Sequence, residues 1–158
     1  MTLLEIIEKD GALSTKELAA MLSFTEDEIK QQIAEYKKKG VILGTQAIID
    51  WDKTDREYVN ALIEIKVVPQ RDRGFDQIAE KICRYPEVKS VYLMSGGFDI
   101  AAIVEGKTMR EVALFVAEKL ALIESVTSTA THFMLRRYKD KGVIYKASQK
   151  DEREEYGL

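Results

Sequence analysis

Cysteine is almost missing from this chain of 158 residues: Cys83 stands alone, so no intramolecular disulfide can form and a disulfide-stapled scaffold is excluded. Histidine is equally scarce. His132 is the one imidazole, and neither it nor Cys83 has an evident base, orienter or metal-ligand companion in the sequence, so no catalytic set and no metal site is expected. No cofactor motif is present either, because Gly40 and Gly44 are not followed by the Gly-Lys-Ser/Thr of a phosphate loop. No run approaches the roughly 18 apolar residues that suggest a membrane span, so no membrane partner is expected. The start, Met1-Thr2-Leu3-Leu4-Glu5, has no cationic stretch leading into an apolar one, and the reading is a cytoplasmic chain, complete and without a secretory signal. Excess charge is lacking too. With 24 Lys plus Arg against 27 Asp plus Glu, a formal −3, the chain cannot coat nucleic acid by bulk charge, and any DNA contact has to be local.

What is present is an ordinary globular composition, 46% apolar and 32% charged, in a length suited to one domain or two small ones. Residues 1–50 read as three short helices and an extended segment. Leu3, Ile6 and Ile7 keep helical spacing behind a Thr2 cap until Asp10-Gly11. Ser14 with Glu17, and Thr25 with Glu28, carry the three-residue spacing of capping boxes. The stripe Leu18, Ala19, Leu22 follows the first box, and Ile29, Ile33, Tyr36 the second, until Gly40. Residues 41–50 are β-branched and too short for an amphipathic helix, which predicts a trailing strand.

A polar hinge at 51–57 leads into a second domain at 58–142. Val59, Ala61, Ile63, Ile65 and Val67 alternate as a strand ending at Pro69, and a helix over 74–84 carries Phe75, Ile78, Ala79 and Ile82. Tyr85-Pro86 stops that helix. Strands follow at 88–95 and 100–104, joined through Gly96-Gly97. Next comes a long helix with Met109, Val112, Ala113, Val116, Leu120 and Ile123 on one side, then a last strand at 126–138. The class is therefore α+β: an N-terminal helix-turn-helix domain followed by a ferredoxin-like β-α-β-β-α-β domain. Two helices cover one face of such a sheet, yet strands 88–95 and 100–104 are apolar on both, so the open face predicts a partner, most economically a second copy. Residues 143–158 read as a charged tail, with Lys150 to Glu155 solvated.

Residues 15–34 have helix-turn-helix spacing, with Ala19 at the close approach, Ser23 in the turn and Ile29 packing the second helix on the first. The turn favours positive φ, which costs Ser23 something that glycine would avoid. Spacing alone fits a plain helical hairpin as well as a DNA reader. As a reader, the helix after Thr25 offers Glu26, Lys30 and Gln31 to base edges, while Thr15 and Ser23 can hold phosphates. Lys37-Lys38-Lys39 is the basic cluster of this half; it can touch DNA or merely complement the helix dipole. Residues 1–50 hold six lysines and no arginine against nine acidic residues, so all of the excess negative charge sits in the segment spaced like a DNA reader.

Taken together, the helix-turn-helix from Thr15 to Ala34, the exit Gly40-Val41-Ile42-Leu43-Gly44 and the loop Ser95-Gly96-Gly97-Phe98-Asp99 resemble the Lrp/AsnC family of feast/famine transcriptional regulators, over residues 1 to about 142. The resemblance implies a second domain of the RAM type that dimerises through its sheet face, with dimers assembling further to an octamer. It also implies an effector, usually an amino acid, bound near the glycine-aspartate loop. Effector contacts would then fall to Ser95, Gly96, Gly97, Phe98 and Asp99, with Thr129 and Thr131 on the last strand beside Thr127. The loop chemistry agrees, since glycines let a ligand reach backbone amides that hold an α-carboxylate while Asp99 holds the α-ammonium. Equally, the two glycines can serve only a tight hairpin that Asp99 caps. One departure stands out: Gln32 occupies the place of an arginine common in the family's recognition helix. Losing one phosphate-neutralising cation lowers the salt slope by about 0.9 per protomer. Double-stranded DNA is thus the expected partner of a non-enzymatic, amino-acid-sensing homo-oligomer. The alternative is a small-molecule-sensing module whose acidic helices contact a protein instead of DNA.

Overall fold

Each of the first three helices begins on the signal its sequence carries. The computed structural model describes residues 1–68 and 74–145. It forms α1 (Leu3–Lys9), α2 (Thr15–Leu22) and α3 (Glu26–Lys38), with Thr2, Ser14 and Thr25 closing capping boxes onto Glu5, Glu17 and Glu28. These bonds hold all three carboxyls below the ordinary range. For Glu5 and Glu28 the main cause is the cap residue's backbone N–H, and for Glu17 it is the Ser14 hydroxyl. Between α2 and α3, Ser23 adopts a left-handed conformation at φ 58°, and the Phe24 N–H closes the turn on the Ala19 carbonyl at 3.1 Å. Gly40, at φ 68°, ends α3 in a Schellman arrangement: the Val41 N–H donates to the Tyr36 carbonyl and the Gly40 N–H to the Lys37 carbonyl. Leu3, Ile6, Leu18, Ala19 and Ile29 form the core of this first unit, residues 1–49.

The expected strand over 41–50 is not formed. The segment makes no ladder, because among the described residues this unit holds no other strand whose N–H and C=O groups it can pair with. It is tied down differently. Gly11 lies against Thr45, where an added Cβ would come within 2.5 Å of the Thr45 Cγ2, and Leu43 is left almost fully exposed.

From Asp50 onward the chain forms a second unit. Its elements are β1 (Val59–Val67), α4 (Gly74–Cys83), β2 (Val88–Leu93), β3 (Ile100–Gly106), α5 (Met109–Phe115) and β4 (Val126–Phe133). The strands make one antiparallel sheet in the order β2-β3-β1-β4, the ferredoxin-like arrangement expected. Odd-numbered β1 residues face the helices: Ala61, Ile63 and Ile65 are fully buried against Ile78, Ile82, Val112, Phe115 and Leu120. The end of the second helix departs from regular α geometry. After Phe115 the backbone widens into a π-turn over Val116–Leu120, closed by the Ala121 N–H on the Val116 carbonyl at 2.8 Å. Val112, Val116, Leu120 and Ile123 of the expected stripe face the core, joined by Phe115, whereas Met109 and Ala113 face outward.

Two strands are shorter than expected, β2 stopping at Leu93 and β4 at Phe133. Beyond them, β5 (Lys139–Asp140) and β6 (Val143–Ile144) pair through Lys141-Gly142, both at positive φ, as a two-residue hairpin turn requires. Residues 143 and 144 are thus hairpin rather than free tail. Pro69 and the Lys150–Glu155 run lie outside the described residues. On the face away from the helices, Leu62, Tyr92, Ala101 and Ile103 alternate with polar groups, and His132 Nε2 stands 3.3 Å from Glu64 Oε1.

Candidate DNA-binding and effector sites

In the first unit, α3 turns Ile29, Ile33 and Tyr36 inward and leaves Glu26, Lys30, Gln31 and Lys37 exposed. Lys30 Nζ stands 3.5 Å from Asp27 Oδ1, an exposed pair of little stability that a phosphate can displace. Gln31 projects freely at the next position, whereas Gln32 is half-buried. Thr25 is less available than its sequence position suggests: its hydroxyl donates to Glu28 Oε2 at 2.8 Å and accepts from the Glu28 N–H, so the capping box occupies it. Thr15 is half-buried in the first turn of α2, and Ser23 is exposed at the turn. Lys37 and Lys38 lie in the last turn of α3, and Lys39 pairs with Glu35 at 3.3 Å.

In the second unit, the Ser95–Asp99 loop links β2 to β3 and is closed by the Met94 N–H on the Asp99 carbonyl at 2.8 Å. Gly96 takes φ 122°, and no atom beyond its chain neighbours lies within 4 Å of where a Cβ would sit on Gly96 or Gly97. Among the described residues, the amides of 95–98 donate to no protein acceptor. Asp99 is firmly seated. Its N–H donates to the Ile65 carbonyl at 3.1 Å, and its Oδ2 accepts the Val67 N–H at 2.9 Å, which pins the loop to the end of β1.

Across β1 from that anchor, Thr129 pairs with Ile65, and Thr131 with Ile63 one step farther along. Both are half-buried on the helix face. Thr127 does not share it: the register shifts between Lys66 and Val67, leaving Thr127 unpaired with its hydroxyl donating to the Lys66 carbonyl at 3.2 Å. A bulge breaks the period of two, so the expected three-threonine row is a pair. Sequence reasoning also missed the Asp99–Val67 bond, because a contact between residues 32 apart leaves no local signal.

The Lrp/AsnC ligand binding domain model matches residues 60–144. The chain is 41% identical over 152 residues to an uncharacterized HTH-type transcriptional regulator of Bacillus subtilis, YugG, covering 96% of this chain and 92% of the relative. Among solved structures, it is similar to the transcriptional regulator NMB0573 of Neisseria meningitidis, solved with L-Met, at TM-score 0.70 and 18% identity over 87% of this chain and 88% of the other. E. coli AsnC superposes at TM-score 0.65 and 19% identity, over 85% and 89% of the two chains. With more than half its length inside the family's ligand-binding domain and a regulator of this type aligned along nearly all of it, the chain belongs to the Lrp/AsnC family of transcriptional regulators.

Proposed function

We propose that α3 enters the major groove of double-stranded DNA as one head of a cytoplasmic, non-catalytic homodimer, and that the Ser95–Asp99 loop with Thr129 and Thr131 receives an amino-acid effector. Lys30, Gln31 and Glu26 face the bases, and Ser23, Thr15, Thr25 and Lys37 face the backbone. The partner copy covers the open sheet face around Tyr92 and Ile103, and dimers assemble further to an octamer. One observation carries the effector reading: a glycine loop whose amides are unclaimed, beside a carboxylate fastened by one oxygen only. The amides suit an α-carboxylate and the second Asp99 oxygen an α-ammonium. The L-Met bound by the similar Neisseria protein supports the class.

Screening the twenty amino acids by thermal shift identifies the effector, since a ligand at 100 times its Kd adds about 2.7 kcal/mol. Asp99→Asn keeps an acceptor for the Val67 N–H but removes the charge. It is expected to abolish the shift and the effector's influence on assembly while sparing effector-free DNA binding in a gel shift. An unchanged effector response in Asp99→Asn overturns the assignment, and equal affinity for all sequences at low salt favours the protein-contacting alternative.

A further inference from the structure

Residues 134–145 carry Arg136, Arg137, Lys139 and Lys141 against a single carboxylate, Asp140, in a chain whose formal charge is −3. Their backbone is fixed. Lys141 and Gly142, at φ 46° and 83°, turn β5 back on β6, and the Tyr145 N–H donates to the Tyr138 carbonyl at 2.9 Å, one step beyond the Lys139–Ile144 pair. Arg137 is the partly buried cation of the group: its guanidinium lies 5.4 Å over the Tyr145 ring, and its Nε stands 3.9 Å from Asp140 Oδ2. The one acid is thus beside the one cation that is turned inward. Arg136, Lys139 and Lys141 are exposed, and among the described residues neither Arg136 nor Lys139 pairs with a carboxylate.

Arg136 is also held in place. Its guanidinium lies 5.0 Å over the ring of Tyr138, which is itself 68% exposed. A guanidinium set over a ring spends its face on the π system and keeps its N–H edge, the edge that takes a phosphate through two parallel bonds. The segment exposes Leu135 and Ile144 as well, which a protein could cover. Charge argues against that occupant, because an apolar partner would desolvate Arg136 and Lys139 without supplying an acceptor, whereas a polyphosphate backbone supplies one for each. Such charge is scarce elsewhere on the DNA-binding side of the molecule: residues 1–50 hold six lysines against nine acidic residues, and neutralising phosphates is what gives affinity independent of sequence.

We infer that the 134–145 hairpin is a second nucleic-acid contact, in which Arg136 and Lys139 hold backbone phosphates of duplex DNA and Lys141 at the turn adds positive charge. The inference rests on the reading of this chain as a DNA binder, but not on which α3 residues face the bases. Contacts to phosphate position a protein and add affinity without choosing a sequence, so the hairpin contributes equally on every duplex. Its signature is therefore electrostatic, a steeper loss of affinity with salt and no change in sequence preference.

The test is fluorescence anisotropy of the full chain on a labelled duplex of arbitrary sequence over a salt series. Arg136→Gln/Lys139→Gln is expected to bind about tenfold more weakly at low salt, with a salt slope shallower by about 1.8 per bound protomer. Its preference between two duplexes should stay that of the wild type. The charge-keeping variant Arg136→Lys/Lys139→Arg is expected to retain the wild-type slope. Lys37→Gln/Lys38→Gln, at the end of α3, separates this inference from the reading of the head. If it weakens binding while the hairpin variant binds like the wild type, the hairpin contact is overturned and α3 keeps its role; weakening by the hairpin variant alone supports the contact and counts against α3. Light scattering guards against a protein interface: a smaller assembly in Arg136→Gln/Lys139→Gln would show that the hairpin joins copies of the chain, and would overturn the inference.

Discussion

The two units of this chain are made by opposite kinds of information. In residues 1–49 every boundary is local: caps three residues from their partners, a left-handed Ser23, a left-handed Gly40. From Asp50 onward the decisive pairings are distant, such as Val59 with Gly106 and Ile65 with Thr129. Their cores differ accordingly, five buried side chains in the first unit against thirteen in the second, among the described residues. A small core gives a marginal unit, so the head that meets DNA is the part of the molecule with least stability to lose.

Deleting the centre of the small core tests this difference most severely. Ile29 is fully buried, and Ile29→Ala is expected to cost about 2–5 kcal/mol. The head should then unfold and gel-shift binding disappear, while amide-exchange protection of the sheet and stabilisation by the effector persist. Loss of protection in both units together would show that they fold as one.

A milder challenge is acid. Glu5, Glu17 and Glu28 have folded-state pKa values lowered by their caps, so their contribution is complete above the unfolded value and fades as pH falls through the folded values. Among the described residues of the second unit, Glu87 is the carboxylate lowered in the same way. On acidification below the ordinary carboxylate range, helix signals of the head should be lost before those of the sheet, followed residue by residue by NMR. The reverse order would break the comparison.

The smallest effect sharpens it. Ser23 carries a side chain in left-handed backbone, at about 1–2 kcal/mol, part of which glycine returns as unfolded-state entropy. Ser23→Gly is therefore expected to stabilise the head by about 0.5–1 kcal/mol and leave the sheet's melting unchanged, both measured by denaturant titration. A change in the sheet's midpoint would reveal coupling.

The same division explains what could be read beforehand. All three caps, the turn at Ser23 and the alternation in β1 were legible because each depends on neighbours or on a strict period. Reading failed where a period breaks or a partner is remote. The bulge removed Thr127 from the threonine row, and the segment over 41–50 had strand composition without a strand to pair with. Asp99 was legible as a candidate but not as an anchor, since nothing near it in the chain announces the Val67 N–H.

Near-balanced charge restricted any DNA contact to local groups, and short-range patterns set the helices, the strands and the family resemblance. Which oxygen of Asp99 is spent and which threonines face inward were decided only by the tertiary structure. Hydrogen-bond satisfaction is settled between atoms that meet in space, and strand register, not sequence distance, determines which atoms meet.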